Sequence, residues 1–127
     1  MQTTIAYNEK EVKERGSRED INQGYNLWVD LTDPSKVEIQ KIQELFSLDV
    51  KAIETILNKS KKPQVRILDD HSFTIMLGIK YKDLHTLITD GVYLFPGKGW
   101  LLTIHSSDLD LKSNVHRLFE EKKIRKL

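Results

Sequence analysis

The chain has 127 residues, the length of one domain, with 20 basic and 19 acidic side chains and a formal net charge of +1. This balance gives no bulk field that would attract a polyanion or an acidic membrane surface. The absence of cysteine excludes a disulfide framework, a thiolate zinc site and a cysteine nucleophile. No signal-peptide pattern is present, and no apolar run approaches the ~20 residues of a spanning helix, so we expect the polypeptide itself to be soluble.

The N-terminal segment begins with a short predicted strand over residues 3–7. Asn8 can cap a polar helix over residues 9–15, which would end at Gly16. Residues 17–24 are polar and have no clear period, which predicts a loop.

An apolar, aromatic-rich stretch over residues 25–31 predicts a buried strand. It ends at Asp33, a capping carboxylate, and Pro34 follows with a fixed φ that suits the first turn of a helix. That helix is amphipathic, with apolar residues near helical spacing: Val37, Ile39, Ile42, Leu45 and Phe46. Asp49 can cap a second helix, whose inner face would be formed by Val50, Ile53, Ile56 and Leu57.

Beyond a basic connector at residues 58–63, the period changes to that of strands. Apolar residues alternate with smaller or polar neighbours at Val65, Ile67, Phe73, Ile75, Leu77 and Ile79. A tight turn is predicted at residues 69–72 and a further strand at 84–87. Two segments form the clearest hairpin, around a PGKG turn: 92–95 and 100–105.

The chain closes with a predicted helix that Asp108 or Asp110 can cap, with apolar positions at Leu111, Val115, Leu118 and Phe119. A hairpin-rich block is therefore flanked by helices from both ends. This order predicts an α/β fold: an α-β-α sandwich with a mixed, mainly antiparallel sheet and helices on both faces, formed as a single domain over residues 1–127.

Candidate catalytic and cofactor-binding residues are absent from these patterns. The glycines of residues 91–99 have the wrong spacing for a phosphate loop and precede a strand, so we predict a hairpin turn. Residues 69–71 (DDH) carry metal-ligand types but favour a turn. His105, Asp108 and Asp110 lack the glycine and distal glutamate of a calcium loop. No nucleophile is paired with a base, so we do not predict an enzyme.

Two basic groups remain as candidates for a binding surface: Lys59, Lys61 and Lys62, and then Lys122, Lys123, Arg125 and Lys126. Neither group is interleaved with aromatic residues, as a stacking platform for bases would be. Acidic residues near each group favour a solvated surface. One alternative function stays open, a free-standing nucleic-acid-binding α/β domain that uses the basic segment 59–62.

Four segments in this order resemble the N-terminal cytoplasmic domain of the CorA-type magnesium and cobalt transporters: 28–34 (WVDLTDP), 52–58 (AIETILN), 62–65 (KPQV) and 97–105 (GKGWLLTIH). In that family, a tryptophan-hydrophobe-aspartate segment precedes a proline that opens a helix, and Trp28, Asp30 and Pro34 match it. No single segment is specific for this family, but the occurrence of all four in the same order and at the same distances is. The resemblance extends over residues 27–119.

The resemblance implies a cytosolic regulatory, metal-sensing domain that helps to gate ion flow in a divalent-cation transporter, and it implies no enzymatic activity. The family's transporters are homopentamers. In them a long stalk helix and two transmembrane helices follow this domain, and the first transmembrane helix ends at a Gly-Met-Asn motif. We expect all of these beyond Leu127, with the domain on the cytoplasmic side of the cell membrane. Without them, the domain should associate weakly or be monomeric.

The resemblance also implies a regulatory Mg²⁺ between neighbouring domains. The family's site uses an acidic pair on the helix before an Ile-Leu step, and the matching positions here are Glu54 and Thr55. Threonine cannot supply the second charge that draws a hard cation from its waters. Glu54 is therefore expected to make a weak, water-mediated contact with Mg²⁺, Co²⁺ or another divalent cation, with a complementary acid on the stalk.

Overall fold

A computed structural model describes residues 1–81 and 83–106 of the chain. Two α-helices occur in this part, α1 (Lys36–Phe46) and α2 (Val50–Leu57), with a 3-10 helix at Arg18–Gln23. The strands of this part form one sheet and are β1 (Gln2–Tyr7), β2 (Val12–Glu14), β3 (Asn26–Thr32), β4 (Gln64–Ile67), β5 (Ser72–Tyr81), β6 (Leu87–Gly97) and β7 (Trp100–His105).

The described sheet has seven strands in the order β2-β1-β3-β7-β6-β5-β4. The strands within β2-β1-β3 and within β7-β6-β5-β4 pair antiparallel with their neighbours. The two blocks meet where β3 and β7 run parallel, with Val29 opposite Leu102. Because parallel strands end at the same edge of a sheet, residues that follow β3 and β7 are brought together there.

The main core lies between α1, α2 and one face of the sheet. Alternate residues of the central strands point to this face, and Leu31, Phe95 and Leu102 are fully buried there. The helices contribute Ile39, Ile42, Phe46, Ala52, Ile53 and Ile56 to the same cluster. Each large apolar side chain buried in this way contributes about 1.5–3 kcal/mol, so the helices are held mainly by packing.

Both helices begin at capping residues. Ser35 Oγ accepts from the Glu38 N–H at 3.2 Å while Glu38 Oε1 accepts from the Ser35 N–H at 3.1 Å, which is a capping box. Asp49 caps α2 by accepting from the Ala52 N–H at 3.0 Å. The cap predicted at Asp33 is wrong by two residues, because Asp33 has φ +46° and lies outside the helix.

The predicted α/β fold class is confirmed, with a mixed, mainly antiparallel sheet. The described α-helices α1 and α2 pack on one face of this sheet, so helices on both faces stay a prediction. The strands predicted at 3–7 and 25–31, the helix capped by Asp49 and the final hairpin are also confirmed. The predicted last helix, with its caps at Asp108 or Asp110, lies outside the described residues.

Three other local predictions are wrong. The helix predicted over 9–15 is instead β2, because Tyr7 pairs with Val12 and draws this polar segment to the sheet edge. The loop predicted over 17–24 contains the 3-10 helix. The separate strand predicted at 84–87 is absent from the described residues, since bends occupy 83–85 and β6 begins at Leu87.

Candidate functional site

A cleft of ≈ 910 Å³ opens beside the ends of β3 and β7. The start of α1 and the end of α2 form its walls, and Ile39, Tyr93 and Ile104 line it with apolar surface. Its charged lining combines three carboxylates with three ammonium groups, from Asp33, Glu54, Asp90, Lys36, Lys59 and Lys61. The cleft exists because β3 and β7 are parallel, and the Asp33 N–H donates to the His105 carbonyl at 2.9 Å across the two strand ends.

On the face of the sheet opposite α1 and α2, a buried polar network joins β3 to β7. The Trp28 indole N–H donates to Thr103 Oγ1 at 2.9 Å, and the Thr103 hydroxyl donates to Asp30 Oδ1 at 2.6 Å. His105 Nε2 lies 2.8 Å and 3.0 Å from the two Asp30 oxygens. Burial alone would raise the pKa of the Asp30 carboxyl, but hydrogen bonds from His105, Thr103 and Thr32 outweigh it and hold the pKa below its usual value.

The cleft rim is held by contacts between the α2–β4 connector and β6. The Tyr93 hydroxyl donates to the Ser60 carbonyl at 2.7 Å. Lys61 Nζ lies 3.8 Å from Asp90 Oδ1 and donates to the Thr89 carbonyl at 3.2 Å. Burial raises the pKa of the Tyr93 hydroxyl, and the negative charge of Asp90 adds to the rise. These contacts fix the connector in place against the sheet.

Glu54 lies on the wall of this cleft as an exposed carboxylate of α2. Thr55 directs its hydroxyl to the Lys51 carbonyl at 2.9 Å, so its proton is committed to the helix backbone. Within residues 1–81 and 83–106, no three histidine or carboxylate side chains converge as a metal site. A cation held by Glu54 would therefore complete its ligand shell with waters or with groups from another segment or copy.

The other candidate motifs have structural roles where they are described. Residues 69–71 form the predicted turn, and His71 Nδ1 lies 2.6 Å from Asp70 Oδ1. Gly91 lies within β6 and Gly99 in the hairpin turn, as predicted for a segment that is no phosphate loop. His105 pairs with Asp30. Asp108 and Asp110, which were grouped with it, lie outside the described residues.

The basic segment does not form a continuous cationic surface. Lys59, Lys61 and Lys62 are exposed, but Lys61 is paired with Asp90 and contacts a carbonyl. Asp90 and Glu54 line the same cleft as Lys59 and Lys61. The carboxylates would oppose a phosphate backbone there, which disfavours the nucleic-acid alternative.

The sequence interpretation missed Asp30, Asp33, Tyr93 and Asp90 as parts of this region. One signal was available: Asp30 stands two residues after Trp28 in an otherwise apolar strand. Residues at this spacing share a face of the sheet, and a carboxylate on a buried strand requires hydrogen-bond partners. The other three residues come together only through the pairing of distant strands.

Comparison with known proteins gives a consistent result. A model of the family described as "CorA-like Mg2+ transporter protein" matches residues 23–126. The cobalt/magnesium transport protein CorA of Methanocaldococcus jannaschii is 26% identical over 99 residues, which make up 78% of this chain and 31% of that protein. The chain therefore spans about a third of the length of this curated relative.

Two solved structures share the fold. The soluble domain of CorA from Methanocaldococcus jannaschii superposes with a TM-score of 0.72 at 22% identity, over 100% of this chain and 49% of that chain. The ZntB cytoplasmic domain from Vibrio parahaemolyticus gives a TM-score of 0.66 at 12% identity, over 95% and 50% of the two chains.

The described helices are all too short or too polar to cross a membrane. The resemblance seen in the four sequence segments is confirmed by the family match, which extends over most of the chain. This protein belongs to the family of CorA-like Mg²⁺ transporter proteins.

Proposed function

We propose that these 127 residues act as one regulatory domain, on the cytoplasmic side, of a divalent-cation transporter that carries Mg²⁺ or Co²⁺. The observation that carries the proposal is the family match over residues 23–126. The relative that matches in sequence is itself named a cobalt/magnesium transport protein, which supports this choice of ions. The proposal assigns the ion pathway to parts of the transporter other than the described residues, and it assigns this domain no catalysis.

The proposed regulatory contact is Glu54. Its carboxylate is exposed at the cleft wall, and Mg²⁺ commonly keeps several waters while using one or two carboxylates. A cation bridging Glu54 to an acidic group of a neighbouring copy would relieve the repulsion between the two carboxylates. A ligand that binds one arrangement of a proposed homopentamer more tightly shifts the population toward that arrangement. Thr55 adds no charge, so the contact is weak.

The transporter role is tested by the reading frame of the source gene. The proposal expects the frame to continue past codon 127 through a charged helix into two apolar spans of ~20 residues. Uptake of Mg²⁺ or Co²⁺ by cells that express the full gene product would then be measured. A stop codon directly after Leu127 would contradict the role while leaving the fold intact.

The Glu54 contact is tested separately by titrating the chain with MgCl₂ and following heat and sedimentation. Weak binding is expected for the unaltered chain, with loss in Glu54→Gln. The matched control is Glu44→Gln, an exposed carboxylate on α1 that does not line the cleft. Sub-millimolar binding that survives Glu54→Gln would overturn the assignment of Glu54.

A further inference from the structure

The two buried histidines of the described region each have a carboxylate beside one ring nitrogen, but they differ in the partner of the other nitrogen. His71 Nε2 accepts from the Asp49 backbone N–H at 3.3 Å, and its Nδ1 lies 2.6 Å from Asp70 Oδ1. An imidazole nitrogen that accepts a hydrogen bond carries no proton. Nε2 of His71 is therefore an acceptor, which leaves Nδ1 as the donor to Asp70.

His105 faces acceptors on both sides. Its Nδ1 lies 2.8 Å from the Ser106 carbonyl oxygen, which can only accept. Its Nε2 lies 2.8 Å and 3.0 Å from the two carboxylate oxygens of Asp30. The Thr32 hydroxyl oxygen lies 3.4 Å from the same nitrogen, and the shorter contact of that hydroxyl directs its proton to Asp30 Oδ2. An imidazole that donates from both nitrogens is an imidazolium.

The direction of the neighbouring hydrogen bonds supports an ionised Asp30. An indole N–H can only donate, so Thr103 Oγ1 accepts from Trp28 and turns its own proton to Asp30 Oδ1. The Thr32 hydroxyl donates to Asp30 Oδ2 at 3.1 Å. Each carboxylate oxygen of Asp30 thus accepts a hydrogen bond from a hydroxyl group, in addition to its contact with His105. Such hydrogen bonds favour the charged form of the carboxylate.

We infer that His105 is held as a buried imidazolium by Asp30, and that this pair is a proton-dependent latch between β3 and β7 at the end of the cleft that His105 lines. Loss of the proton would set a ring lone pair against either the Asp30 carboxylate or the Ser106 carbonyl. The Asp33 N–H also donates to the His105 carbonyl. Movement of His105 would therefore weaken the attachment of the segment that connects β3 to α1.

The residues paired with this network in the neighbouring strands β1 and β6 are uncharged. Thr3 of β1 lies opposite Asp30 and Leu94 of β6 lies opposite Thr103, and neither titrates. The charged groups that line the cleft with His105 come from the α1, α2, connector and β6 walls: Asp33, Lys36, Glu54, Lys59, Lys61 and Asp90. They carry three charges of each sign, so the cleft has no excess charge of its own.

The latch makes a signed prediction for stability. The folded chain holds a proton on His105 that the unfolded chain releases as pH rises through neutrality. A group that binds its proton more tightly in the folded state contributes stability at low pH, and this contribution is lost as pH rises. The melting temperature should therefore decline as pH rises above about 6.5, the pKa at which a histidine of the unfolded chain loses its proton.

The direct test is ¹⁵N NMR of the histidine rings of the unaltered chain at pH about 7, where an unperturbed histidine is mostly neutral. Both nitrogens of His105 should carry protons. A single protonated nitrogen on His105 would overturn the inference, whether the missing proton is on Asp30 or lost to solvent.

A second test uses Asp30→Asn, which keeps an acceptor but removes the charge. His105 in this variant should carry one proton at the same pH, and the decline in melting temperature should be lost. His85→Gln, at an exposed position, should leave both signals unchanged. Retention of the full decline in Asp30→Asn would contradict the latch. If Asp30→Asn does not fold, the ring signals of the unaltered chain decide the question.

Discussion

Gly97 and Trp100 face each other across the β6–β7 hairpin, and the Trp100 ring occupies the space that a Cβ on Gly97 would need. The ring cannot retreat freely, because its centroid lies 4.7 Å from that of Phe46 in α1. The glycine thus lets the sheet accept an indole between the hairpin and the helix.

Gly97→Ala should therefore destabilise the fold by about 1–3 kcal/mol, the usual cost of forcing extra volume into a packed site. The free energy of unfolding in urea measures this change. Gly91→Ala is the matched control, because a Cβ there would meet its nearest atom at 3.5 Å, an ordinary contact. Equal costs for the two variants would contradict the role of the Trp100 ring.

His71→Leu should lower the free energy of unfolding by about 1–3 kcal/mol. The substitution leaves the Asp49 N–H at the start of α2 without its acceptor while keeping the site apolar and filled. His85→Leu changes an exposed side chain in the β5–β6 connection and should cost little. Urea unfolding of both variants checks this, and a cost at position 71 no larger than at position 85 would argue against the hydrogen bond.

Ser35→Ala should cost about 1 kcal/mol, because it removes the side-chain acceptor of the capping box at the start of α1. Lys36→Ala, one residue later on the exposed side of the helix, serves as the control and should change stability by less than about 0.5 kcal/mol. Thermal unfolding followed by circular dichroism distinguishes the two. A neutral Ser35→Ala would show that packing alone positions this helix.

Acid should destabilise the N-terminal segment through Asp20. A hydrogen bond from the Lys13 ammonium at 2.8 Å and one from the Ser17 N–H at 2.7 Å hold the pKa of this buried carboxyl below its usual value. A carboxyl whose pKa is lowered on folding contributes stability above about pH 4, and that stability is lost as pH falls through the folded pKa.

Lys13→Met should therefore lower the stability of the chain that keeps Asp20. The same substitution should leave the pH of acid unfolding nearly unchanged in a chain that already carries Asp20→Asn. Acid titrations followed by tryptophan fluorescence measure both effects. Asp69→Asn, in the exposed turn between β4 and β5, is the control for removal of one carboxylate. A full effect of Lys13→Met in the Asp20→Asn background would refute the pairing.

Hydrophobic period predicted the central strands and both helices correctly, because these elements bury one clear face. It failed for β2, where residues 9–15 are polar and helix-compatible by composition. Only pairing with β1, which sets Ile5 against Glu14, makes that segment a strand. Strand preference depends on the neighbouring strand, and no local pattern records that neighbour.

The start of α1 could have been predicted better. Ser35 and Glu38 have the spacing of a capping box, which is visible in the sequence and is a stronger signal for the cap than the acidic residue before Pro34. Glu54 was correctly placed on α2, although its role as a cation contact stays a prediction. The cleft itself could not be predicted, since Asp33, Asp90 and His105 approach through strand pairings far apart in the chain.

The parallel pairing of β3 with β7 has a consequence for synthesis on the ribosome. Asp30 and Thr103, which hydrogen-bond across this pairing, stand 73 residues apart in the chain. The block β2-β1-β3 is therefore synthesised early, but the edge of β3 stays unpaired until β7 has been synthesised. Contacts of such long separation slow folding, and an uncovered strand edge invites pairing with other chains. Nascent chains stalled before Trp100 should be especially dependent on chaperones.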